Sequence, residues 1–419
     1  MANSLSKVLR SRLFSNILNQ FLLYGFSHIL PFLLMPYLLA TIGIAKYGLI
    51  NFAIAFSFYF QVLNEWGFDL SNVRHVVKNR DNPDELSRIF MSILACKTFL
   101  LCCSLVVYSS IIIMIPKFRQ YELLYILAFV RLIGVIITPY WLFRSMEDMK
   151  FVTRISLVVK CLCIIPIFLI VKTKADFEWV MFFFALEALV SGMFAVWIAK
   201  VRYGLHYYSV KFTDIKFFFE DSLPFFTSVF LTRVYQTSNT FILGLFCGET
   251  VTGIYSAAEK LHNAYASLVA PLINHIFYPY FSRVRNFVRM NKMVFSLIGL
   301  NALILVVIYL VSPILVPLFI KTETVHILNY FNLFLLLLLF SMANELIGFP
   351  YLGVFGKIKE VKQSTVLASS FYLIGVLLMI LFKNINIPNM IYLLILTNVI
   401  SLVFRGVCIL SYRKSFAPK

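Results

Sequence analysis

The sequence predicts an all-α polytopic membrane protein of about twelve transmembrane helices, in two pseudo-symmetric six-helix lobes around a central cavity. Three observations carry this expectation. Of 419 residues, 61% are hydrophobic and only 13% are charged, about half the charge of a soluble domain. Apolar runs of about 20 residues recur along the chain, each long enough to cross a bilayer as a helix. Two short stretches also recur at a spacing near half the chain length. A membrane barrel would alternate apolar and polar residues in short segments, and that pattern is absent.

In chain order the expected spans are roughly 14–41, 46–66, 89–113, 122–143, 151–171, 179–199, 222–246, 252–278, 293–317, 326–349, 364–383 and 390–411. Met1 to Arg12 is polar and basic. The apolar run after it is too long for a signal-peptide core and has no small-residue cleavage site, so it reads as a retained first span. The connections alternate in charge. One set, with both termini, holds 24 Lys and Arg, and the other holds 7. The positive-inside rule then puts both termini in the cytoplasm, as an even number of spans requires. Every outward loop is short, which leaves no room for an extracytoplasmic domain. The net charge of +18 therefore reads as a device that orients the chain in a membrane, and no nucleic-acid partner is expected. The seven cysteines lie in or beside apolar runs without metal-ligand spacing and read as small buried hydrophobes.

The repeat is seen in Gly43-Ile-Ala-Lys-Tyr-Gly48-Leu-Ile-Asn-Phe-Ala53, which aligns with Gly248-Glu-Thr-Val-Thr-Gly253-Ile-Tyr-Ser-Ala-Ala258 at an offset of 205. A second echo joins Pro139-Tyr140 to Pro350-Tyr351, and Met146-Glu-Asp-Met-Lys150 to Ile358-Lys-Glu-Val-Lys362, at offsets of 211 and 212. The expected lobes are residues 1–210 and 211–419. Six spans per lobe is an even number, so the repeats share an orientation and are related by an axis along the membrane normal. A cavity between two such lobes points to a transporter.

Six cations fall within spans: Lys97, Arg131, Lys160, Arg233, Lys260 and Arg405. Only Glu187, Glu259 and Glu345 lie well inside spans, with Glu65 nearer the cytoplasmic end of the second. An isolated charge at the bilayer centre costs about 2.5–3.5 kcal/mol, so these side chains should face protein or water. Around a helix, Arg233 shares one half with Tyr235, Gln236, Asn239 and Thr240, a polar face suited to sugar hydroxyls. Phe230, Leu231, Val234, Phe241 and Ile242 occupy the other half. His28 falls opposite Arg233 by the 205 offset. Arg233 reads either as a cavity cation or as the partner of Glu259 or Glu187, and His28 as a cavity residue or an interhelical hydrogen bond. Lys260 ranks second as a cavity cation and Arg131 third. Lys97, Lys160 and Arg405 rank lower because long side chains can snorkel to an interface.

A positive interior favours an anion, and guanidinium suits phosphate oxygens. The sequence has no P-loop, HExxH or GxSxG motif, so neither catalytic residues, a metal nor a cofactor is expected, and the chain reads as no enzyme. Transport would draw on an ion or substrate gradient, with Glu187, Glu259 and Glu345 as candidate H+ or Na+ coupling acids or ion-pair partners.

The stretches "NEWGFDLSNVRHVV", "TPYWLFRSMEDMKFV" and "LPFFTSVFLTRVYQTSNTFILGLFCGETVTGIYSAAEKL" resemble the O-antigen flippases. These are the Wzx-type polysaccharide transporters of the multidrug/oligosaccharidyl-lipid/polysaccharide exporter superfamily. The likeness covers essentially the whole chain and is most specific across the seventh and eighth spans. It implies a V-shaped bundle in the bacterial inner membrane. This bundle would move an undecaprenyl-diphosphate-linked oligosaccharide from the cytoplasmic to the periplasmic leaflet by alternating access, with the lipid tail left among membrane lipids. It also implies Arg233 and Lys260 as headgroup contacts, and an O-antigen polymerase and chain-length regulator as partners. Two alternatives fit less well. A multidrug exporter of the same superfamily would carry acids early in its first lobe, and the first span has none. An O-antigen polymerase or lipid-linked-sugar glycosyltransferase needs a sizeable outward loop, and the outward loops here run to about 5–12 residues. A lipid II flippase usually has spans beyond twelve.

Overall fold

In hydrocarbon every backbone N–H and C=O has to be paired within the chain, and a helix does this locally. The computed structural model of the chain describes residues 32–416, and its regular structure is helical, with no strand among the described residues. In order the helices are α1 (Phe32–Thr41), α2 (Gly43–Glu65), α3 (Phe68–Lys78), α4 (Pro83–Met114), α5 (Pro116–Arg119), α6 (Glu122–Ile137), α7 (Tyr140–Ser145) and α8 (Met149–Ile170). They continue with α9 (Phe177–Tyr203), α10 (Phe212–Phe246), α11 (Glu249–Leu272), α12 (Tyr278–Val284), α13 (Phe287–Phe319), α14 (Thr324–Leu346), α15 (Ile358–Leu381) and α16 (Ile387–Phe416).

Eleven of these helices have 16 or more residues, and they match the second to twelfth expected spans in order. The first expected span is described only over α1. Among the described residues, nine helical stretches are long and apolar enough to cross a bilayer. The two long helices outside that group are α10 and α11, the seventh and eighth spans, which carry the polar residues singled out by sequence.

Several boundaries differ from expectation for local reasons. Helix α4 begins six residues early because the Asn82 side chain accepts from the Asp84 and Glu85 N–H groups, and Pro83 suits the first turn. Asn286 likewise starts α13 early by accepting from the Arg289 N–H. The fourth span is broken. Thr138 leaves the helix (φ −66°, ψ 116°), Pro139 lacks an N–H to continue it, and α7 starts anew at Tyr140. The tenth span breaks too. Its end is a π-helical segment, Ile347–Gly353, in which Gly348 has ψ −120° and Pro350 removes another donor.

Residues Leu49–Phe241 form one compact unit, and residues 32–48 with 242–416 form a second. In the first, α9 packs along α6 and α8, and α3 packs on α7. Its core includes Phe68, Phe90, Ile93, Trp141, Phe143 and Ala199. In the second, α14 packs against α11, α13 and α16, and α15 packs against α16. Phe281, Met290, Tyr351 and Val361 form a core there. Exposed apolar side chains such as Val106, Leu162, Leu310 and Val403 give the outer surface the character that lipid requires.

The glycines of the 205-residue echo meet in the second unit. A Cβ on Gly48 would overlap the Glu249 carbonyl and lie 2.6 Å from the Gly253 nitrogen, and one on Gly253 would overlap the Ile44 carbonyl. Only two glycines allow α2 and α11 to start this close together.

Candidate functional site

Arg233 sits on α10, which runs antiparallel to α2 and α3. Phe52 stacks on Phe241 at 5.4 Å, Tyr59 donates to Ser238 Oγ at 2.9 Å, and Trp66 stacks on Phe226 at 4.3 Å. Ser71 and Ser222 hydroxyls are 2.6 Å apart, and Arg74 and His75 both reach Asp221. This register sets Arg233 level with the Gln61–Glu65 turn of α2. Gln61 Nε2 donates to Glu65 Oε1 at 2.7 Å, and Arg233 and Lys97 are the cations within electrostatic reach of that carboxylate.

Arg233 itself is exposed. Its wheel neighbours are placed differently: Asn239 and Thr240 are buried at 2% and 7% exposure. Tyr235 and Gln236 lie on the same helix, and His28 lies outside the described residues. Ser238, on the apolar half of the wheel, is buried and accepts the Tyr59 hydroxyl.

Lys97 and Arg405 do not snorkel: they are 5% and 8% exposed. The Lys97 ammonium donates to the Ile136 carbonyl at 3.4 Å and lies 3.9 Å from Asp69. The Arg405 guanidinium donates to Ser364 Oγ at 2.8 Å and to the Asn344 carbonyl at 2.5 Å. Arg131 and Lys160 both lie in the field of Glu187. Tyr140 and Arg131 also lie within electrostatic reach of each other. Lys260 is half-buried and lines a cleft of about 390 Å³ with Phe32, Asn263, Ala264, Ser267 and Ala270.

Two other acids accept from neutral side chains. Tyr255 donates to Glu259 Oε1 at 3.3 Å, and Asn274 Nδ2 donates to Glu345 Oε1 at 2.8 Å. Sequence reasoning missed the Gln61–Glu65 pair beside Arg233. Its signal was there, an amide and an acid four residues apart at the end of a span. Of the six cations, Lys97 and Arg405 are buried on carbonyl and hydroxyl oxygens of their own unit, Arg131 and Lys160 lie in the field of Glu187, Arg233 is exposed at the level of one carboxylate, and Lys260 lines a cleft.

Comparison with known proteins adds family and fold. A segment of 271 residues is 30% identical to a "Putative O-antigen transporter" of Escherichia coli (strain K12), covering 62% of this chain. The chain spans 63% of that relative's length. A protein of the same description from Shigella dysenteriae is 25% identical over 282 residues, 66% of this chain and 69% of its own. Among solved structures, the lipid II flippase MurJ in an inward closed conformation superposes with a TM-score of 0.74. It is 14% identical and covers 97% of this chain and 89% of its own. An inward-facing multidrug MATE transporter of the MOP superfamily gives 0.58 at 16% identity, over 92% and 94%. These likenesses establish a shared transporter fold. Residues 13–285 match the family model described as polysaccharide biosynthesis protein, and the chain belongs to that family.

Proposed function

We propose that the chain is a flippase that carries an undecaprenyl-diphosphate-linked oligosaccharide from the cytoplasmic to the periplasmic leaflet of a bacterial inner membrane by alternating access. The observation that carries this reading is Arg233, a cation inside a span that lies exposed on the polar half of α10. A membrane protein keeps a charged side chain away from lipid by pairing it or by lining a water-filled path with it. Lys97 and Arg405 donate to carbonyl and hydroxyl oxygens of their own unit, and Arg131 and Lys160 lie in the field of Glu187. Arg233 and Lys260 lie on exposed or cleft-lining positions of α10 and α11, the two most polar long helices. Arg233 offers a planar fork to diphosphate oxygens, and Lys260 adds a point charge beside the small, polar wall of Asn263, Ala264 and Ser267. Family membership and the O-antigen transporter relatives support a glycan cargo.

In this reading residues 1–210 and 211–419 act as the two lobes, and both termini are cytoplasmic. The cycle draws on an H+ or Na+ gradient, and cargo is handed to an O-antigen polymerase and a chain-length regulator. His28, Tyr235 and Gln236 stay within the proposed polar path. Asn239 and Thr240 are buried, and Arg131 stays a third candidate cation in the field of Glu187.

Arg233 tests the proposal. The full chain is reconstituted in proteoliposomes with a fluorescent undecaprenyl-diphosphate-linked sugar, and its arrival in the opposite leaflet is followed with an impermeant quencher. Loss of a charged hydrogen bond is worth about 1.5–3 kcal/mol, so Arg233→Ala should slow transfer about tenfold or more, while Arg233→Lys keeps part of the rate. Wild-type rates in both variants would remove Arg233 from the path. A wild-type chain that moves no probe would sink the flippase reading itself.

A further inference from the structure

The Pro-Tyr echo marks a break in each half of the chain. In the first unit α6 ends at Ile137, and the chain restarts at Tyr140 after Thr138 and Pro139. In the second, α14 ends at Leu346 and passes into Ile347–Gly353, where Gly348 leaves helical geometry before Pro350. A broken helix exposes carbonyls at its C-terminal end that have lost their N–H donors, and these carry the negative end of the helix dipole. In a bilayer such groups need a donor from elsewhere in the protein.

Both breaks obtain one from a buried cation on another helix. Lys97 of α4 donates to Ile136 O, one residue before the end of α6. Thr138 Oγ1 takes up Gly134 O at 2.9 Å. Arg405 of α16 donates to Asn344 O in the last turn of α14, a carbonyl left with only a share of the Ile347 N–H, and its Nε donates to Ser364 Oγ on α15. The second break is built around that guanidinium: a Cβ on Gly348 would stand 2.9 Å from Arg405 Nη1. The two cations sit on different helices of their halves, third and last, so this is similar chemistry at similar breaks and no simple copy.

We propose that the breaks at Thr138–Pro139 and Gly348–Pro350 are the bending points of the transport cycle, and that Lys97 and Arg405 are positioning residues that hold them. A break lacking its continuing hydrogen bonds is the least costly place for a membrane helix to bend, and a mobile cationic donor can follow the carbonyl as it moves. Neither cation touches cargo in this scheme, unlike Arg233 and Lys260. The inference rests on the flippase reading for its assay.

The test uses Lys97→Met, Lys97→Arg, Arg405→Gln, Arg405→Lys and Gly348→Ala in the full chain. Transfer of the fluorescent lipid-linked sugar is measured beside the Kd for undecaprenyl diphosphate and the thermal unfolding midpoint. The charge-removing variants should lose about tenfold or more in transfer rate, with Kd within about twofold of wild type. Lys97→Arg and Arg405→Lys should recover most of that rate. Gly348→Ala keeps the charge but crowds the guanidinium, and it should reproduce the Arg405→Gln defect if that variant folds poorly. Three results would overturn the proposal: a Kd that rises in step with the lost rate, wild-type transfer in the charge-removing variants, or a lower midpoint with normal transfer by the folded fraction. All of these presuppose a wild-type chain that moves the probe, so failure of the flippase reading stays distinguishable.

Discussion

Gly253→Ala adds one methyl where α11 meets the first turn of α2. The new Cβ would overlap the Ile44 carbonyl oxygen and stand 3.0 Å from its carbon. The reciprocal Gly48→Ala puts a Cβ 2.6 Å from Gly253 N. Carbon contacts relax at about 3.5 Å, so the 2.6 Å contact alone asks for about 0.9 Å of separation and the overlapping carbonyl oxygens ask for more. The obstacle is backbone on both sides, and no rotamer change relieves it. Separation would loosen a tightly packed turn in which Thr252, Tyr255, Ser256, Ala257 and Ala258 are buried. Overpacking of this kind costs about 1–3 kcal/mol, and a rigid backbone contact belongs near the upper end. The control is Gly406→Ala, where a Cβ meets nothing within 4 Å. There alanine's higher helix propensity should be neutral or stabilise by up to about 1 kcal/mol. The same chemical change should therefore lower the unfolding midpoint at Gly253 and leave or raise it at Gly406, measured on the purified chain in detergent. Gly48→Ala combined with Gly253→Ala should cost less than the sum of the two, since one separation relieves both overlaps. Equal midpoints for Gly253→Ala and Gly406→Ala would refute the claim that the two echo glycines exist for this contact.

Two further outcomes follow from ion pairs. Asp214 lies just outside the seventh expected span and accepts from Arg88 Nε at 3.0 Å and Nη2 at 2.9 Å. Burial alone would push its carboxyl up, but hydrogen bonds from Arg88, the Lys211 N–H and Tyr208 outweigh that and hold it below its ordinary 3.8. A depressed carboxyl stabilises the fold above the ordinary value and loses that effect as pH falls through the folded one. Asp214→Asn should therefore lower the unfolding midpoint at pH 7 by an amount that shrinks below about pH 3.8. A double-mutant cycle with Arg88→Ala should give a coupling of about 0.5–3 kcal/mol, and a pH-independent deficit would contradict this account. Glu187→Gln removes the acid in whose field Arg131 and Lys160 lie and should lower the unfolding midpoint of the purified chain. Unchanged stability with a lost H+ or Na+ dependence of transport would instead make Glu187 a coupling acid.

The spans were legible because bilayer thickness imposes one length and one composition on every crossing helix, and that signal needs no tertiary information. What the pattern missed depends on single backbone groups. Hydropathy runs unbroken through Ile137-Thr138-Pro139 and through Leu346-Ile347-Gly348, so the fourth and tenth segments were drawn as continuous. The missing N–H of Pro139 and the ψ of Gly348 are invisible to a sum over side chains. The early starts of α4 and α13 are cap effects in aqueous segments, where hydropathy carries no weight.

At the candidate site, the helical wheel gave direction around α10 without depth along it. It grouped Arg233 with Asn239 and Thr240 by angle. The structure separates them because residues near 238–241 meet Phe52 and Tyr59 of α2, while Arg233 lies between that contact and the Trp66–Phe226 stack. Snorkelling for Lys97 and Arg405 failed for a related reason. Their partners are main-chain carbonyls of helices 39 and 61 residues away in sequence, freed by breaks that the pattern did not contain. A charge surplus counted from sequence is therefore an upper bound on the charge a cargo can meet. Among the described residues α10 and α11 are the long helices that fall short of a spanning apolar length, and the Arg233 variants test whether a cargo meets the charge the first of them carries.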